Sequence, residues 1–235
     1  MEKQRIIDIH THVLPLVDDG SDSMERTISM LQVLKNEGVT DIFCTPHYRL
    51  DMFLTPAEED LRVFNEVKSE VEKLGLDINL YLGQELHNAP EMLPLVKQGK
   101  AITIADSKYI LLEFSWHNEG DFVSVVKEYV DSGYIPIVAH FERFNYYSLE
   151  MAKNLRNAGD KFQVNAFSFF GVEKVERQQN VFEMFENGLV DYIASDLHHW
   201  KKPYIKDCYA LICEKYGKDK ADKVFYQNAL DIIGE

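Results

Sequence analysis

Short apolar, β-rich runs alternate with amphipathic helical stretches along the whole chain, and most of the repeats are punctuated by a glycine. No other feature constrains the fold as strongly. The runs fall at about residues 6–9, 39–45, 77–82, 109–112, 134–139, 162–166 and 190–194. Between them, Met24, Ile28, Leu31 and Leu34 share a helical face before Gly38, and Thr55-Pro56 opens a helix running toward Gly75. Asn88-Ala89-Pro90 starts a short helix that ends near Gly99, and Phe122, Val126, Tyr129 and Val130 mark one closed by Gly133. Residues 149–155 supply the next before Gly159, and Val181 and Phe185 lie on another that stops at Gly188. Asp22 and Glu25 have the spacing of a capping box, residues 102–104 read as a minor strand, and terminal helices are expected over 204–216 and 221–229.

Strands that alternate with helices form a parallel sheet with the helices outside. An open doubly wound sheet would carry a glycine-rich phosphate loop after its first strand, and none is present. Polar residues instead collect at the C-terminal ends of the strands, where closed β/α barrels build their sites. No linker or low-complexity tract divides the sequence, so residues 1–235 are expected to form a single α/β barrel domain.

The strand ends carry His10 and His12, then His47, Glu85, Glu113, His140, and Asp196 with His198; the first loop adds Asp19. Residues two apart on a strand face one side, so His10-Thr11-His12 offers two imidazoles to one ion. Alone, each residue has a structural explanation: a turn beside Pro46, a surface carboxylate, a satisfied core histidine. Together they exceed the needs of one ion, because zinc takes about four protein ligands and manganese about six including water. Two or three metals are implied, with a glutamate bridging. Three divalent ions against Asp19, Glu85, Glu113 and Asp196 would leave a formal balance of about +2, suited to a phosphate dianion. A water bridging two ions would serve as hydroxide near neutral pH, and in-line attack on phosphorus with clamped oxygens is the two-metal pattern.

The formal net charge of −14 and pI near 5.0 argue against a duplex-binding protein, whose affinity would rest on basic patches. No apolar stretch is long enough to span a bilayer, and the charged start Glu2-Lys3-Gln4-Arg5 precedes too few apolar residues for a signal peptide. A soluble, cytoplasmic protein is expected. Cys44, Cys208 and Cys213 form neither a disulfide framework nor a zinc-finger spacing and are read as packing residues. Cysteine-dependent phosphatase chemistry, which needs an arginine six residues after the thiolate, is excluded: Arg49 is one residue too near Cys44, and Glu214 and Asp219 follow the other two.

The ordered set His-Thr-His with Val-Asp-Asp-Gly, Thr-Pro-His, Gly-Gln-Glu, Leu-Glu-Phe-Ser, Ala-His-Phe-Glu-Arg and Ala-Ser-Asp-Leu-His resembles the polymerase-and-histidinol-phosphatase (PHP) superfamily. More narrowly it resembles the bacterial capsule-type protein-tyrosine phosphatases of the CpsB and YwqE type, over nearly the whole chain. The resemblance implies a distorted seven-stranded (β/α) TIM-like barrel and a trinuclear site usually active with manganese, with iron, zinc, cobalt or magnesium as alternatives. It also implies hydrolysis of phosphotyrosine, the substrate being the tyrosine-rich tail of an autophosphorylating kinase that controls capsular or exopolysaccharide synthesis. Carried over, the ligands are His10, His12, Asp19, His47, Glu85, Glu113, His140, Asp196 and His198, with Glu85 as bridge. Arg143 matches the family arginine after the fifth-strand histidine and would bind phosphoryl oxygens, its alternative being a pairing with Glu142 or another local acid. Arg49, two residues beyond His47, would guard the entrance or be merely exposed. His87, His117, His199 and Trp200 receive no role, and Trp116, Tyr146 and Tyr147 are stacking or packing residues.

Other readings share these residues. A small-molecule phosphatase such as histidinol phosphatase would use the same superfamily site. An amidohydrolase also begins with His-x-His, but often has a carboxylated lysine on its fourth strand, where this chain has Glu113. A metal-binding module that docks a kinase without catalysis is the reading from another class.

Overall fold

The structure, a computed structural model, describes residues 5–235, so the charged start at Glu2-Lys3-Gln4 lies outside the described residues. Its strands are β1 (Ile7–Thr11), β2 (Asp41–Cys44), β3 (His47–Tyr48), β4 (Asn79–Leu82), β5 (Glu85–His87), β6 (Tyr109–Glu113), β7 (Ile135–Val138), β8 (Lys161–Asn165) and β9 (Tyr192–Ala194). The helices between them are α1 (Met24–Asn36), α2 (Ala57–Lys73), α3 (Met92–Lys97), α4 (Phe122–Asp131), α5 (Leu149–Ala158) and α6 (Val175–Glu186). After β9 come α7 (Ile205–Tyr216), α8 (Lys218–Asp222) and α9 (Asn228–Ile233), with a π-helical turn, Lys223–Gln227, joining the last two.

All strand pairs are parallel, in the orders β1-β2-β4 and β3-β5-β6-β7-β8-β9. The two rows are one curled sheet, because β2 with β3 and β4 with β5 are two strands that each break in the middle. The breaks fall at Thr45-Pro46 and Gly83-Gln84, and Pro46 has no N–H to give a ladder. Across them, the Gly83 amide donates to Cys44 O at 2.9 Å and the Glu85 amide to Pro46 O at 3.0 Å. The curl returns to its start where Thr11 bridges Leu197 in parallel and the Asp196 amide donates to His10 O at 2.9 Å. This is the expected barrel, with its distortion located.

Residues 102–104 do not form the minor strand. Ile104–Asp106 make a tight turn in which Ala105 and Asp106 both have φ of 53°, which an extended chain cannot adopt. Buried Ile104 packs against the break in the β4–β5 strand; a Cβ at Gly83 would sit 2.5 Å from Ile104 Cγ2, so the close approach requires glycine there. The capping-box expectation also shifts by one residue. Ser23 is the extended cap of α1, and its Oγ accepts from the Arg26 amide at 3.2 Å.

The core has two layers. Ile42, Ile110, Leu112, Val138, Phe162 and Val164 face the helices, whereas Ile7, Ile9, Phe43, Tyr109, Leu111, Ile137, Tyr192 and Ala194 fill the barrel interior. The period-two alternation of β6 explains why all five of its residues are buried: both faces of a parallel sheet are covered. Ala229 and Ile232 of α9 join the inner cluster, so the C-terminal helix covers part of the barrel that the strands leave open. Cys44 and Cys208 are buried in the outer layer, and burial pushes both thiols up, as suits packing residues. Among the described residues, no helix is long and apolar enough to cross a membrane.

Candidate metal centre

The inward positions of the strands end in polar groups. On β6 the inward set runs Tyr109, Leu111, Glu113; on β7, Ile137 and Ala139 lead to the turn holding His140; on β9, Tyr192 and Ala194 lead to Asp196. In β1 simple alternation would point Ile9 and His10 to opposite faces, yet Ile9 packs in the interior and His10 still reaches the mouth. The register of β1 against β2 shifts between Asp8 and Thr11, an irregularity of the bulge kind that re-aims a side chain. His140 and Asp196 adopt φ of 36° and 49°, in the left-handed region where a non-glycine residue is strained by roughly 1–3 kcal/mol. Both lie two residues past a strand end, and both point into the same mouth.

Glu85 lies at the centre. Its Oε1 is 2.9 Å from His140 Nε2, and its Oε2 is 3.2 Å from His10 Nε2, 3.3 Å from His12 Nε2 and 2.8 Å from His47 Nδ1. Asp196 Oδ1 lies 3.5 Å from His12 Nε2 and 3.9 Å from His10 Nε2, and His140 Nε2 is 3.7 Å from Glu113 Oε1. Asp19 Oδ1 is 3.5 Å from His198 Nε2 and 3.7 Å from His47 Nε2. All nine residues expected as ligands therefore meet at one mouth. Three subsets hold ligand atoms mutually within 4.8 Å: His12, Asp19, His47 and His198; His10, His12 and Glu85; and His47, Glu85 and Glu113. They overlap at His12, His47 and Glu85.

The donor set fits divalent cations. His10 Nδ1 lies 3.0 Å from Gln163 Oε1, His12 Nδ1 2.7 Å from Asp18 Oδ2, and His198 Nδ1 3.0 Å from the Asp196 carbonyl. Each oxygen acceptor calls for a proton on Nδ1, which leaves the Nε2 lone pair turned to the centre. His10 Nε2 and His12 Nε2 are 3.1 Å apart, close to the spacing of two nitrogens each about 2.1 Å from a shared ion. Buried Glu85 Oε2, His47 Nδ1 and His140 Nδ1 have no hydrogen-bond partner, a cost that a cation at the first two would remove.

The electrostatics agree. Burial opposes charge on Glu85, but His10 and His47 hold its carboxyl well below the usual range. Burial likewise opposes charge on His10 and His47, yet the Glu85 carboxylate raises them to about 9 and about 10. Without metal, protons take the place of cations among these carboxylates.

Several supporting residues escaped the sequence reading. Asp18 orients His12 and also accepts from the His47 amide at 3.0 Å. Gln163 Oε1 accepts from the His140 amide at 3.0 Å as well as bonding His10. Asn165 Nδ2 donates to Asp196 Oδ2 at 3.1 Å. Gln163 and Asn165 alternate with Phe162 and Val164 along β8, so a period-two reading of that strand would have found them. Lys201 Nζ is 2.9 Å from Asp196 Oδ2, and His87 Nδ1, given no role from sequence, is 2.8 Å from Glu113 Oε2. His199 bonds the Gly20 carbonyl and His117 bonds Asn145. Tyr146 and Tyr147 hydroxyls bond Ser115 O and Glu183.

The two arginines differ in placement. Arg143 Nη1 is 3.4 Å from Asp196 Oδ2, its Nε is 3.6 Å from Glu173, and its guanidinium lies 4.7 Å above the Trp116 ring. Arg49 pairs with Asp51 at 2.7 Å on the rim, beside His47 but turned to its own loop. Gly20 closes the first loop under His12, and a Cβ there would lie 2.0 Å from His12 O and 2.3 Å from His12 Cβ. Gly20→Ala is therefore expected to cost roughly 1–3 kcal/mol of stability, read as a lowered Tm, and to displace His12. An unchanged Tm would contradict this packing.

The family described as "Capsular polysaccharide synthesis, CpsB/CapC" matches residues 6–234. The chain belongs to that family. Its relatives include the tyrosine-protein phosphatase CpsB of Streptococcus agalactiae, 31% identical over 238 residues that cover 97% of this chain and 98% of that one. The tyrosine-protein phosphatase YwqE of Bacillus subtilis is 25% identical over 203 residues, 83% of this chain and 78% of YwqE. A solved structure from work on YwqE of B. subtilis and CpsB of Streptococcus pneumoniae, described as metal-dependent tyrosine phosphatases, superposes with a TM-score of 0.90 at 22% identity. It covers 96% of this chain and 93% of that chain. The phosphotriesterase of Mycobacterium tuberculosis shares the fold more distantly, with a TM-score of 0.61 at 12% identity. The CpsB/CapC chain described here thus shares its fold with both of these solved structures.

Proposed function

We propose that this CpsB/CapC chain acts as one domain that hydrolyses protein phosphotyrosine at two to three divalent ions, manganese foremost. The substrate in this reading is the tyrosine-rich tail of a kinase governing capsular or exopolysaccharide synthesis. The observation that carries the reading is Glu85, whose two oxygens face different histidines and which belongs to two of the three overlapping ligand clusters. His10, His12, Asp19, His47, Glu113, His140, Asp196 and His198 complete the ligand set.

Bound ions would supply an acidified water and neutralise phosphoryl oxygens. The chain's own residues do the rest. Asp18, Gln163 and the Asp196 carbonyl hold three imidazoles in the tautomer that turns Nε2 inward. Arg143, held against Trp116, offers a planar fork to the phosphoryl oxygens and offsets the charge that builds in the transition state. A tyrosinate leaves with a conjugate-acid pKa near 10, so its departure makes little demand for a general acid.

The test is chelation followed by titration with manganese, assayed on a phosphotyrosine peptide and on histidinol phosphate. Peptide hydrolysis that disappears with chelator and returns with manganese is expected; turnover of histidinol phosphate alone would overturn the substrate assignment. Metal must displace the protons that Glu85 holds on His10 and His47, so loading is expected to release protons at neutral pH, and affinity to strengthen as pH rises from about 6 to 9. Calorimetry in buffers of different ionisation enthalpy reads that release. Pairs of identical heats across buffers would contradict it.

A further inference from the structure

Beside the metal centre lies a second cleft, of about 490 Å³, whose lining includes Arg143, Lys174, Arg177 and Asn180. It adjoins the site through Arg143, which lines the cleft and also reaches Asp196. We propose that this cleft binds an acidic side chain, a carboxylate or a second phosphoryl group, that flanks the phosphotyrosine within the same peptide. The proposal rests on the phosphotyrosine reading above and adds to it a sequence preference.

Trp116 sets the geometry. Arg143 and Arg177 both pack on its ring, with guanidinium carbons 4.7 and 5.1 Å from the centroid. The Trp116 carbonyl is fixed by the Asn145 amide at 3.0 Å. Stacking holds each guanidinium plane, and a pre-oriented fork loses little entropy when it binds a carboxylate or phosphate.

The charges are incompletely paired. Arg177 is only 6% exposed, and among the described residues the buried Nε atoms of Arg177 and Arg143 have no hydrogen-bond acceptor, Glu173 standing 3.6 Å from Arg143 Nε. Glu173 pairs with both Arg143 Nε and Arg177 Nη1, and Arg143 also contacts Asp196 through Nη1. Arg177 therefore has a carboxylate that it shares with Arg143, and a buried cation with a shared partner is incompletely compensated. Glu173 thus occupies the position of a substrate anion. Lys174 adds a third cation at the start of α6, a helix whose N-terminus has no side-chain cap and whose dipole also favours an anion. Glu176 is the one acid among the lining residues. This concentration of positive charge stands out in a chain with 25 basic and 39 acidic residues.

Three phosphotyrosine peptides test the proposal: neutral neighbours, glutamate at the adjacent positions, and a second phosphotyrosine there. Wild-type kcat/KM is expected to favour the acidic peptides over the neutral one by about tenfold, the worth of one charge-assisted hydrogen bond. Lys174→Ala, at an exposed position, should reduce that ratio several-fold, and Glu173→Gln should increase it by removing the competing carboxylate. A purely structural role for Glu173 would leave the ratio unchanged. Preference for both acidic peptides assigns carboxylate recognition; preference for the doubly phosphorylated one alone assigns phosphoryl recognition. A wild-type ratio near one, or ratios unmoved in both variants, overturns the subsite while hydrolysis of the neutral peptide leaves the phosphatase reading standing. No hydrolysis of any peptide overturns both.

Discussion

His140→Ala is expected to lose bound metal and nearly all phosphatase activity while the protein stays folded. His140 Nε2 lies between Glu85 Oε1 at 2.9 Å and Glu113 Oε1 at 3.7 Å, so its removal takes one imidazole from between two carboxylates. Loss of a group that merely orients a ligand costs about 10–100-fold in metal affinity or activity, so loss of a ligand should exceed roughly 100-fold. The fold should survive because the residue lies at the barrel mouth, in a strained left-handed conformation that alanine relieves no better and no worse. Metal content by mass spectrometry of the native protein, a circular dichroism melt and a phosphotyrosine assay together make the measurement. Full activity with full metal content would remove His140 from the ligand set.

Arg143→Ala should separate charge stabilisation from metal binding. The guanidinium touches Asp196 through Oδ2, whereas the Asp196 oxygen nearest the histidines is Oδ1, and Oδ2 keeps Asn165 and Lys201 as partners. Metal content is therefore expected to stay near the wild-type level. Removal of one donor aimed at developing charge typically costs about 10²–10³-fold in kcat. Arg143→Lys should recover only part of this, since an ammonium does not stack on Trp116 as a planar fork nor contact two oxygens at once. Equal loss of metal and activity would instead make Arg143 a support for Asp196.

Much of this site was legible because a β/α barrel converts strand order into spatial proximity. Nine residues spread from His10 to His198 could be grouped without coordinates, since every parallel strand ends at the same face. The supporting residues were harder to see. Asp18 sits beside Asp19 in a loop with no periodicity, and only the fold shows that Asp18 turns inward to His12 while Asp19 stays on the rim. Lys201 follows the last motif in a segment without regular structure, where sequence spacing says nothing about direction. The minor strand over 102–104 failed for a related reason: apolar residues can fill a gap in a sheet as a turn, and local pattern does not distinguish the two.

The sequence by itself determined the strand–helix alternation, the end of the barrel where the polar residues gather, and the nine residues proposed as ligands, because period and residue type are local properties. The tertiary structure decided which of these side chains come within 4.8 Å of one another, since that depends on the breaks at Thr45-Pro46 and Gly83-Gln84 and on the register shift in β1. It also decided that Arg143 and Arg177, far apart in sequence, meet on one tryptophan. Contacts of that kind follow from strand pairing and closure, which sum many weak terms over the whole chain and leave no mark on any short stretch of it.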